Sequence, residues 1–400
     1  MSMQWLERVA LSAILIAATA APGGAQNTSS EFTSSRMPGW SFTPGVTIAG
    51  EFDSNVALAS APADTRQTES DRVLLAQPFV QLGFMSPRTE FSTGYQSYVR
   101  RHMEVAQLNG FDQRGYVSLR RLATKRLTLS LNDQYADVAS TDEVELNGVP
   151  FSRTGVHTNA VMGGLDARLT KFTNLAVRAS NTWVDFERTD TLLTGGSVSG
   201  VSTGLSRRLN ERTTGGAEYA IRFADLNEGT HQLTFQDVGG TLQYAVAGKT
   251  ALSLGAGVSF LEDRSFDVSR RGPYMRADLT HEAARATIGA GFERSFLPSF
   301  GFGGSNQSMQ ARGFIHMPLN RNRVYVLGSG SWRRTEPFVA GELELDTFAI
   351  RSTLGYSATR WLRVEGFYAF SRQDSQVTGG EINRHRVGTQ MVISQPMRIR

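Results

Sequence analysis

The sequence predicts an all-β protein: a single antiparallel transmembrane outer-membrane β-barrel of about 18 strands. Three observations support this prediction. Apolar and polar side chains alternate with a period of two over segments longer than ordinary globular strands. Short and long connections alternate along the chain. An apolar N-terminal segment has the features of a secretory signal peptide.

The N-terminal segment predicts export. Arg8 precedes an apolar stretch over residues 9–20, and Gly23 and Ala25 have the small side chains required before a cleavage site. The alternative is a buried N-terminal helix. No later apolar run reaches the roughly 20 residues of a spanning helix, so an exported chain is either a soluble envelope protein or an outer-membrane barrel. The predicted boundaries are a signal peptide over 1–25, a short periplasmic segment over 26–41 and a transmembrane barrel over 42–400.

The strands are recognised by their alternation, which is clearest from Lys249 to Phe260. Segments of about 10 to 14 residues suit a tilted crossing of a bilayer. Short connections such as 85–88 alternate with long polar ones such as 53–72, which predicts short periplasmic turns and longer extracellular loops. A change of phase between Phe235 and Val238 predicts a β-bulge. Soluble β-propellers and other soluble β folds are the alternatives.

The tryptophans support two rings of aromatic side chains at the membrane interfaces. In the predicted topology, Trp183 and Trp332 lie at the loop ends of their strands, and Trp40 and Trp361 lie at the turn ends. Amphipathic rings at both headgroup levels are typical of membrane barrels.

Arginine is the informative charged residue. The chain has 41 basic residues, of which only Lys125, Lys171 and Lys249 are lysines. An arginine on the lipid face at the midplane costs about 2 to 4 kcal/mol, so arginines within strands are expected to face the lumen. Guanidinium groups on an enclosed wall attract anions and bind carboxylates or phosphates with two hydrogen bonds. The predicted anion path consists of Arg100, Arg120, Arg178, Arg222, Arg312, Arg351, Arg363 and Arg386.

A structural role for these arginines is the alternative to an anion path. Glu90, Glu218, Glu293 and Glu365 are predicted to face the lumen as well, and pairs between the two sets would hold the barrel rigid. The net charge of +4 leaves only a small basic excess.

The loops contain acidic clusters. Such clusters are typical of solvated loop surfaces. The alternative is that divalent ions bridge these carboxylates to lipid phosphates. The clusters are Asp142, Glu143 and Glu145, and Glu342, Glu344 and Asp346.

No catalytic, metal or cofactor motif is predicted, and the chain is expected not to be an enzyme. The segment from His281 to Arg285 has arginine where the two-histidine zinc motif has its second ligand. The chain has no cysteine, no nucleophile elbow and no phosphate-binding loop. Nucleic acid is not an expected partner.

The first third of the chain resembles outer-membrane β-barrel porins that are often linked with extracellular-polysaccharide production and export. The resemblance is carried by residues 44–56, 69–71 and 73–82 with Pro78, and by Tyr95 and Tyr98. It implies a channel that works with periplasmic export proteins. The chain departs from such barrels at its end, where Arg400 stands in place of the usual aromatic residue.

The expected function is passive passage of anionic solutes, or export of an acidic exopolysaccharide, through an arginine-lined lumen in the outer membrane. Tyr98, Tyr116 and Phe367 are expected to stack on sugar rings. The expected partners are outer-membrane lipid and lipopolysaccharide, together with an anionic polysaccharide. A non-transporting structural or adhesive barrel, plugged by loop 136–153 or 53–72, is the first alternative. A hydrolase at the loop rim is the second.

Overall fold

One antiparallel sheet that closes on itself makes up the protein. The computed structural model describes residues 38–59, 69–144, 146–187, 193–227, 229–265, 267–301, 303–320, 323–338, 344–375 and 380–399. The predicted signal peptide lies outside these residues. Strand β1 begins at Gly39, slightly before the predicted start of the barrel at residue 42.

The described residues form eighteen long strands and one short strand. The strands are β1 (Gly39–Asp53), β2 (Asp71–Met85), β3 (Thr89–His102), β4 (Gly110–Thr124), β5 (Leu127–Val138), β6 (Val156–Arg168), β7 (Thr173–Phe186), β8 (Gly196–Arg208), β9 (Thr213–Leu226), β10 (His231–Ala247), β11 (Thr250–Asp263), β12 (Val268–Ala283), β13 (Ala286–Pro298), β14 (Ser305–Leu319), β15 (Val324–Pro337), β16 (Leu345–Ser357), β17 (Leu362–Ser375), β18 (Gly380–Ser394) and β19 (Met397–Ile399). Short 3-10 helices cover Ala106–Leu108 and Thr141–Glu143. Within the described ranges, none of the helices has the length and apolar character to cross a membrane.

The barrel closes where β18 pairs with β1, from Gly45 opposite Ser394 to Asp53 opposite Arg386. The short β19 continues this seam along β1 toward the turn end. Every other long strand pairs with its neighbours in sequence, as in an up-and-down barrel. The closed sheet confirms the predicted fold class.

The predicted bulge between Phe235 and Val238 is wrong. Strand β10 keeps a continuous register with β9 and β11 through this segment. Phe235 faces the interior and is fully buried, and Val238 faces outward. The apparent change of phase arises because an apolar side chain here packs inside the barrel instead of facing outward.

The two faces of the sheet differ in chemistry. On β1, Trp40, Ile48 and Phe52 are exposed on the outside, whereas Thr47 and Asp53 are buried on the other face. That second face is the interior, because Arg384 on β18 contacts Asp142 from the β5–β6 connection, and such a contact can form only through the lumen. The strand between Trp40 and Phe52 rises roughly 30 Å at a typical tilt, which matches a hydrocarbon core.

The tryptophans lie at the two ends of the outer surface. Trp40 and Trp361 adjoin short turns, and Trp183 and Trp332 adjoin long connections. Trp40 packs on Phe84 with ring centroids 5.0 Å apart, and Trp332 Nε1 donates to Asp346 Oδ1 at 2.9 Å.

Candidate functional site

The strand register places all eight arginines of the predicted path on the lumenal face, in phase with residues that contact across the interior. Several of them pair with carboxylates on nearby strands. Arg178 lies 2.7 Å from Asp166 on β6, and Arg222 lies 2.6 Å from Asp237 on β10. Arg312 on β14 reaches Asp278 on β12 at 3.1 Å across the small Gly291 of β13. This side of the lumen therefore neutralises its own charges.

Three arginines of the predicted path differ from the others. Among the described residues, no carboxylate oxygen lies within 4.0 Å of the guanidinium nitrogens of Arg120, Arg351 or Arg363. Arg351 instead lies over the Phe367 ring, 4.8 Å from its centroid, and its buried Nε has no hydrogen-bond partner. These guanidinium groups belong to β4, β16 and β17, so the three arginines of the predicted path without a nearby carboxylate lie on one side of the barrel.

The connection between β5 and β6, residues 139–155, folds into the lumen, and we call it the inward loop. Its Asn147 donates to Pro298 O and Asn306 Oδ1 at 2.9 and 2.8 Å. The Phe151 amide donates to Gln373 Oε1 at 2.6 Å on β17. The loop thus contacts strands on widely separated parts of the wall and lies across the mouth of the barrel.

The acidic residues of the inward loop contact lumenal arginines. Asp142 binds Arg384 of β18, which also binds Asp53 of β1 at 2.5 Å. Glu143 lies 3.4 Å from Arg100 and 3.5 Å from Arg386. Sequence analysis predicted Asp142 and Glu143 as solvated loop residues, and this prediction is wrong, because both are buried against guanidinium groups. Glu145 and residues 341–343 lie outside the described residues.

These contacts form one ionic cluster. Its arginines are Arg100, Arg114, Arg384 and Arg386, and its carboxylates are Asp53, Asp112, Asp142 and Glu143. Within this set of eight side chains the charges balance because the inward loop supplies two of the four carboxylates, and the same loop adds the half-buried Arg153 beside them. Burial alone would raise the pKa of Glu143, but the surrounding guanidinium groups of Arg100, Arg386 and Arg114 outweigh it and hold that pKa well below its usual range. Glu143 is therefore ionised at neutral pH.

Sequence analysis did not select Arg384, the most buried arginine of this cluster, with its side chain 4% exposed. Its alternation with Arg386 on β18 was the available signal. The signal was incomplete, since its partner Asp142 is far away in sequence.

An apolar cluster fills the opposite part of the mouth. Val149 of the inward loop and Phe300 of the β13–β14 connection pack against inward-facing strand residues. At Gly148, with φ +70°, an added Cβ would lie 2.1 Å from Ser299 Oγ, so only glycine fits this approach. The buried members are Val138, Val149, Val156, Val184, Phe186, Ala224, Leu226, Leu233, Phe235, Leu261, Phe296 and Phe300.

The three rings predicted to stack on sugars are not equally accessible. Tyr98 and Phe367 are each 7% exposed, and the guanidinium groups of Arg114 and Arg351 lie over them. Tyr116 is half-buried, and its ring lies where a Cβ on Gly94 would be.

Phe314, which sequence analysis missed, is an accessible lumenal ring. It is 43% exposed and lies against Gly289 of β13. Its place in phase with Arg312 and His316 could have indicated that it faces the lumen.

Two histidines lie near carboxylates. His102 Nδ1 is 3.5 Å from Asp71, and His157 Nδ1 is 3.2 Å from Asp137. Over the described ranges, neither imidazole accepts a hydrogen bond from a serine hydroxyl, and no group of three or more histidine or carboxylate side chains could hold a metal ion.

The chain has a similar overall shape to solved outer-membrane proteins. Pseudomonas aeruginosa OccK9 (OpdG) has a TM-score of 0.47 at 10% identity, covering 90% of this chain and 98% of that one. The outer membrane protein OpdK from the same organism has a TM-score of 0.44 at 12% identity, covering 89% and 99%. Acinetobacter baumannii OccAB4 has a TM-score of 0.47 at 10% identity, covering 90% and 99%. The sequence matches no protein-family model and no curated protein. Strand pairing, rather than these similarities, defines the fold.

Proposed function

We propose that the protein is an outer-membrane channel for anionic solutes. The outward band of apolar side chains and the aromatic residues at both of its edges support a membrane location. The single observation that supports anion passage is the ionic cluster, in which loop carboxylates occupy guanidinium groups of the lumen wall.

The inward loop suggests how an anion would pass. Without Asp142 and Glu143, the ionic cluster carries two excess positive charges. A carboxylate or phosphate on a solute can bind the same guanidinium groups with the same geometry, since both ions accept paired hydrogen bonds from arginine. Arg351 lies beside the cluster with no carboxylate of its own. An entering anion therefore replaces an internal one, and the charges stay compensated.

The solute class extends from small organic anions to an acidic polysaccharide strand. Small anions need only the ionic side of the lumen, whereas a polymer must also pass the inward loop. Phe314 would supply the exposed ring face for sugar stacking, in place of the covered Tyr98 and Phe367.

The test is reversal-potential measurement on the purified protein in planar bilayers under a potassium chloride gradient. We expect chloride preference in the wild type and a lower preference in Arg351→Gln. Arg271→Gln is the matched control, because Arg271 pairs in register with the outward Phe260. Cation preference in the wild type, or equal effects of the two substitutions, would contradict the anion path.

A non-transporting structural barrel is the second candidate, and the inward loop across the mouth favours it. The same bilayers distinguish the two functions. Absence of conductance in the wild type and also in Asp142→Asn/Glu143→Gln would support the structural barrel.

A further inference from the structure

The outer face of β5 to β8 has polar side chains within the membrane-spanning part of the wall. Leu131, Tyr135 and Trp183 face outward and are exposed, and strand alternation places Asp133 and Asn181 on the same face. Asp133 lies near the middle of the 12-residue β5, between Leu131 and Tyr135. Asn181 lies one outward position below Trp183 on β7. These groups are therefore level with the hydrocarbon band and not with the loop rim.

The polar side chains form two hydrogen-bonded pairs whose capacity is only partly used. Asn159 Nδ2 donates to Asp133 Oδ1 at 2.9 Å, and Asn181 Nδ2 donates to Ser199 Oγ at 2.8 Å. Among the described residues, no donor reaches Asp133 Oδ2, and the second amide hydrogen of Asn181 has no acceptor. Lipid tails neither donate nor accept hydrogen bonds, so this open capacity is unfavourable against lipid and is satisfied against another protein surface.

The shape and the composition of this face also differ from those of other sectors. The outward residues in the middle of β1 and β11, such as Ile48 and Val258, are apolar or glycine. Below the polar groups of β6 and β7, Gly163 and Ala179 face outward in register, and a Cβ on Gly163 would contact nothing within 4 Å. The face is therefore a shallow recess that a neighbouring wall can approach closely.

The order of the groups across the four strands makes the face complementary to itself. Strand β5 has the outward carboxyl groups of Asp133 and Asp137, and β8 has the outward hydroxyl groups of Ser199 and Thr203. Two copies in one membrane have the same orientation, so a two-fold axis that relates them is parallel to the membrane normal. With that axis between β6 and β7, β5 of each copy lies opposite β8 of its partner, and acceptors meet donors. The central amides both donate and accept, so they can pair with their own copies.

We propose that β5 to β8 form the interface of a homodimer in the membrane, held together by hydrogen bonds of Asp133, Asn159, Asn181 and the hydroxyl groups of β8. Four strands about 4.8 Å apart and a hydrocarbon band about 25 Å tall provide about 500 Å² per copy, or about 1,000 Å² in total, which is the lower limit of a specific interface. The proposal is independent of the channel function, because these residues face away from the lumen.

Cysteine crosslinking of the full chain in outer-membrane fractions tests the interface, since the protein has no cysteine of its own. We expect a short bismaleimide to join two copies of Ala179→Cys about tenfold more efficiently than two copies of Ala277→Cys. Ala277 is the matched control, because it faces outward on β12 in register with the exposed Leu254. Equal crosslinking of the two variants would indicate random collision and overturn the proposal. A product with a mass other than twice that of the chain would assign the face to a different protein and overturn it as well.

Substitutions among the polar groups locate the contact. In the Ala179→Cys chain, Asn159→Leu with Asn181→Leu should lower the crosslinked fraction about tenfold, because leucine makes no hydrogen bonds across the interface. Gln236→Leu is the control and should leave that fraction unchanged, since Gln236 lies outward on β10, where it accepts from the Tyr219 hydroxyl at 3.2 Å. Heat-dependent gel mobility reports whether each barrel has closed. An unchanged crosslinked fraction in the closed double variant would contradict an interface built on these amides.

Discussion

The two sides of the barrel mouth are built from different interactions. Around β5 to β13, apolar side chains such as Phe235 and Leu261 pack inside the sheet, and arginines pair with carboxylates on nearby strands. Around β18 and β1 to β4, buried charges predominate, and their balance depends on the inward loop. Packing fixes the first side permanently, whereas an incoming ion can compete for the second. One closed sheet can therefore place stabilising apolar packing on one side of its mouth and ion-binding arginines on the other.

The largest expected effect is the loss of stability when the apolar packing on the first side is removed. Phe235→Ala should lower the free energy of unfolding by about 4 kcal/mol, since it leaves a cavity among fully buried side chains. Urea unfolding of the protein in micelles measures the loss. Phe223→Ala, on the outer face of the paired strand, is the control and should cost less, because lipid tails fill the space. Equal losses would show that the interior cluster is not packed.

The next largest effect is the loss of stability when an arginine is removed from the ionic cluster. Arg384→Met leaves the buried carboxylates of Asp53 and Asp142 without their shared partner, and should cost about 3 kcal/mol in the same unfolding measurement. Arg178→Met removes a more accessible pair with Asp166 and should cost about 1 kcal/mol or less. An Arg384 variant as stable as the Arg178 variant would remove the contrast between buried and accessible pairs.

A smaller effect, on ion selectivity, is expected when the inward loop loses its negative charges. Asp142→Asn with Glu143→Gln removes both loop anions, so the cluster arginines gain net positive charge. We expect the chloride preference to rise about tenfold, which corresponds to a change of about 1.4 kcal/mol in the electrostatic free energy of a chloride ion at the mouth. Asp166→Asn on the other side is the control and should change selectivity less. A decrease in chloride preference in the double variant would be inconsistent with competition between loop and solute.

The smallest effect concerns pH. Because its folded-state pKa is depressed, Glu143 contributes fully above its unfolded-state pKa of about 4.3, and the contribution is lost only as pH falls through the lower folded-state value. The stability difference between wild type and Glu143→Gln should therefore stay constant from about pH 8 to pH 5 and shrink only below about pH 4. A difference that already disappears near pH 6 would mean that the guanidinium groups do not hold Glu143 ionised.

Local pattern was sufficient to predict the barrel. Alternation along segments such as Lys249 to Phe260 gave the strand period, and the cost of arginine in lipid gave the orientation of Arg351 and Arg363. The same rule failed at Phe235, because an apolar side chain can face either lipid or a packed interior, and alternation does not distinguish the two. The order of short and long connections identified the loop end of the barrel.

The candidate site was less predictable, because its contacts join distant parts of the chain. Asp142 and Arg384 are 242 residues apart in sequence, and nothing near either residue indicates the other. Loop carboxylates are usually solvated, so local composition favoured the wrong environment for Asp142 and Glu143. Tyr98 and Phe367 were assigned to the correct face, but their capping by Arg114 and Arg351 depends on neighbouring strands.

The seam between the first and last long strands is short. Strands β1 and β18 share nine residue pairs, and β19 adds three, whereas β1 and β2 share fifteen. Asp53 and Arg384 link the two strands at its upper end, and Asp142 of the inward loop completes that link. Closure of the barrel therefore joins the first and last long strands through an ion pair between Asp53 and Arg384. The inward loop adds a third charged group, Asp142, to this pair. Any displacement of that segment removes one carboxylate from the joint between the two ends of the chain, which couples the position of the inward loop to the closure of the barrel.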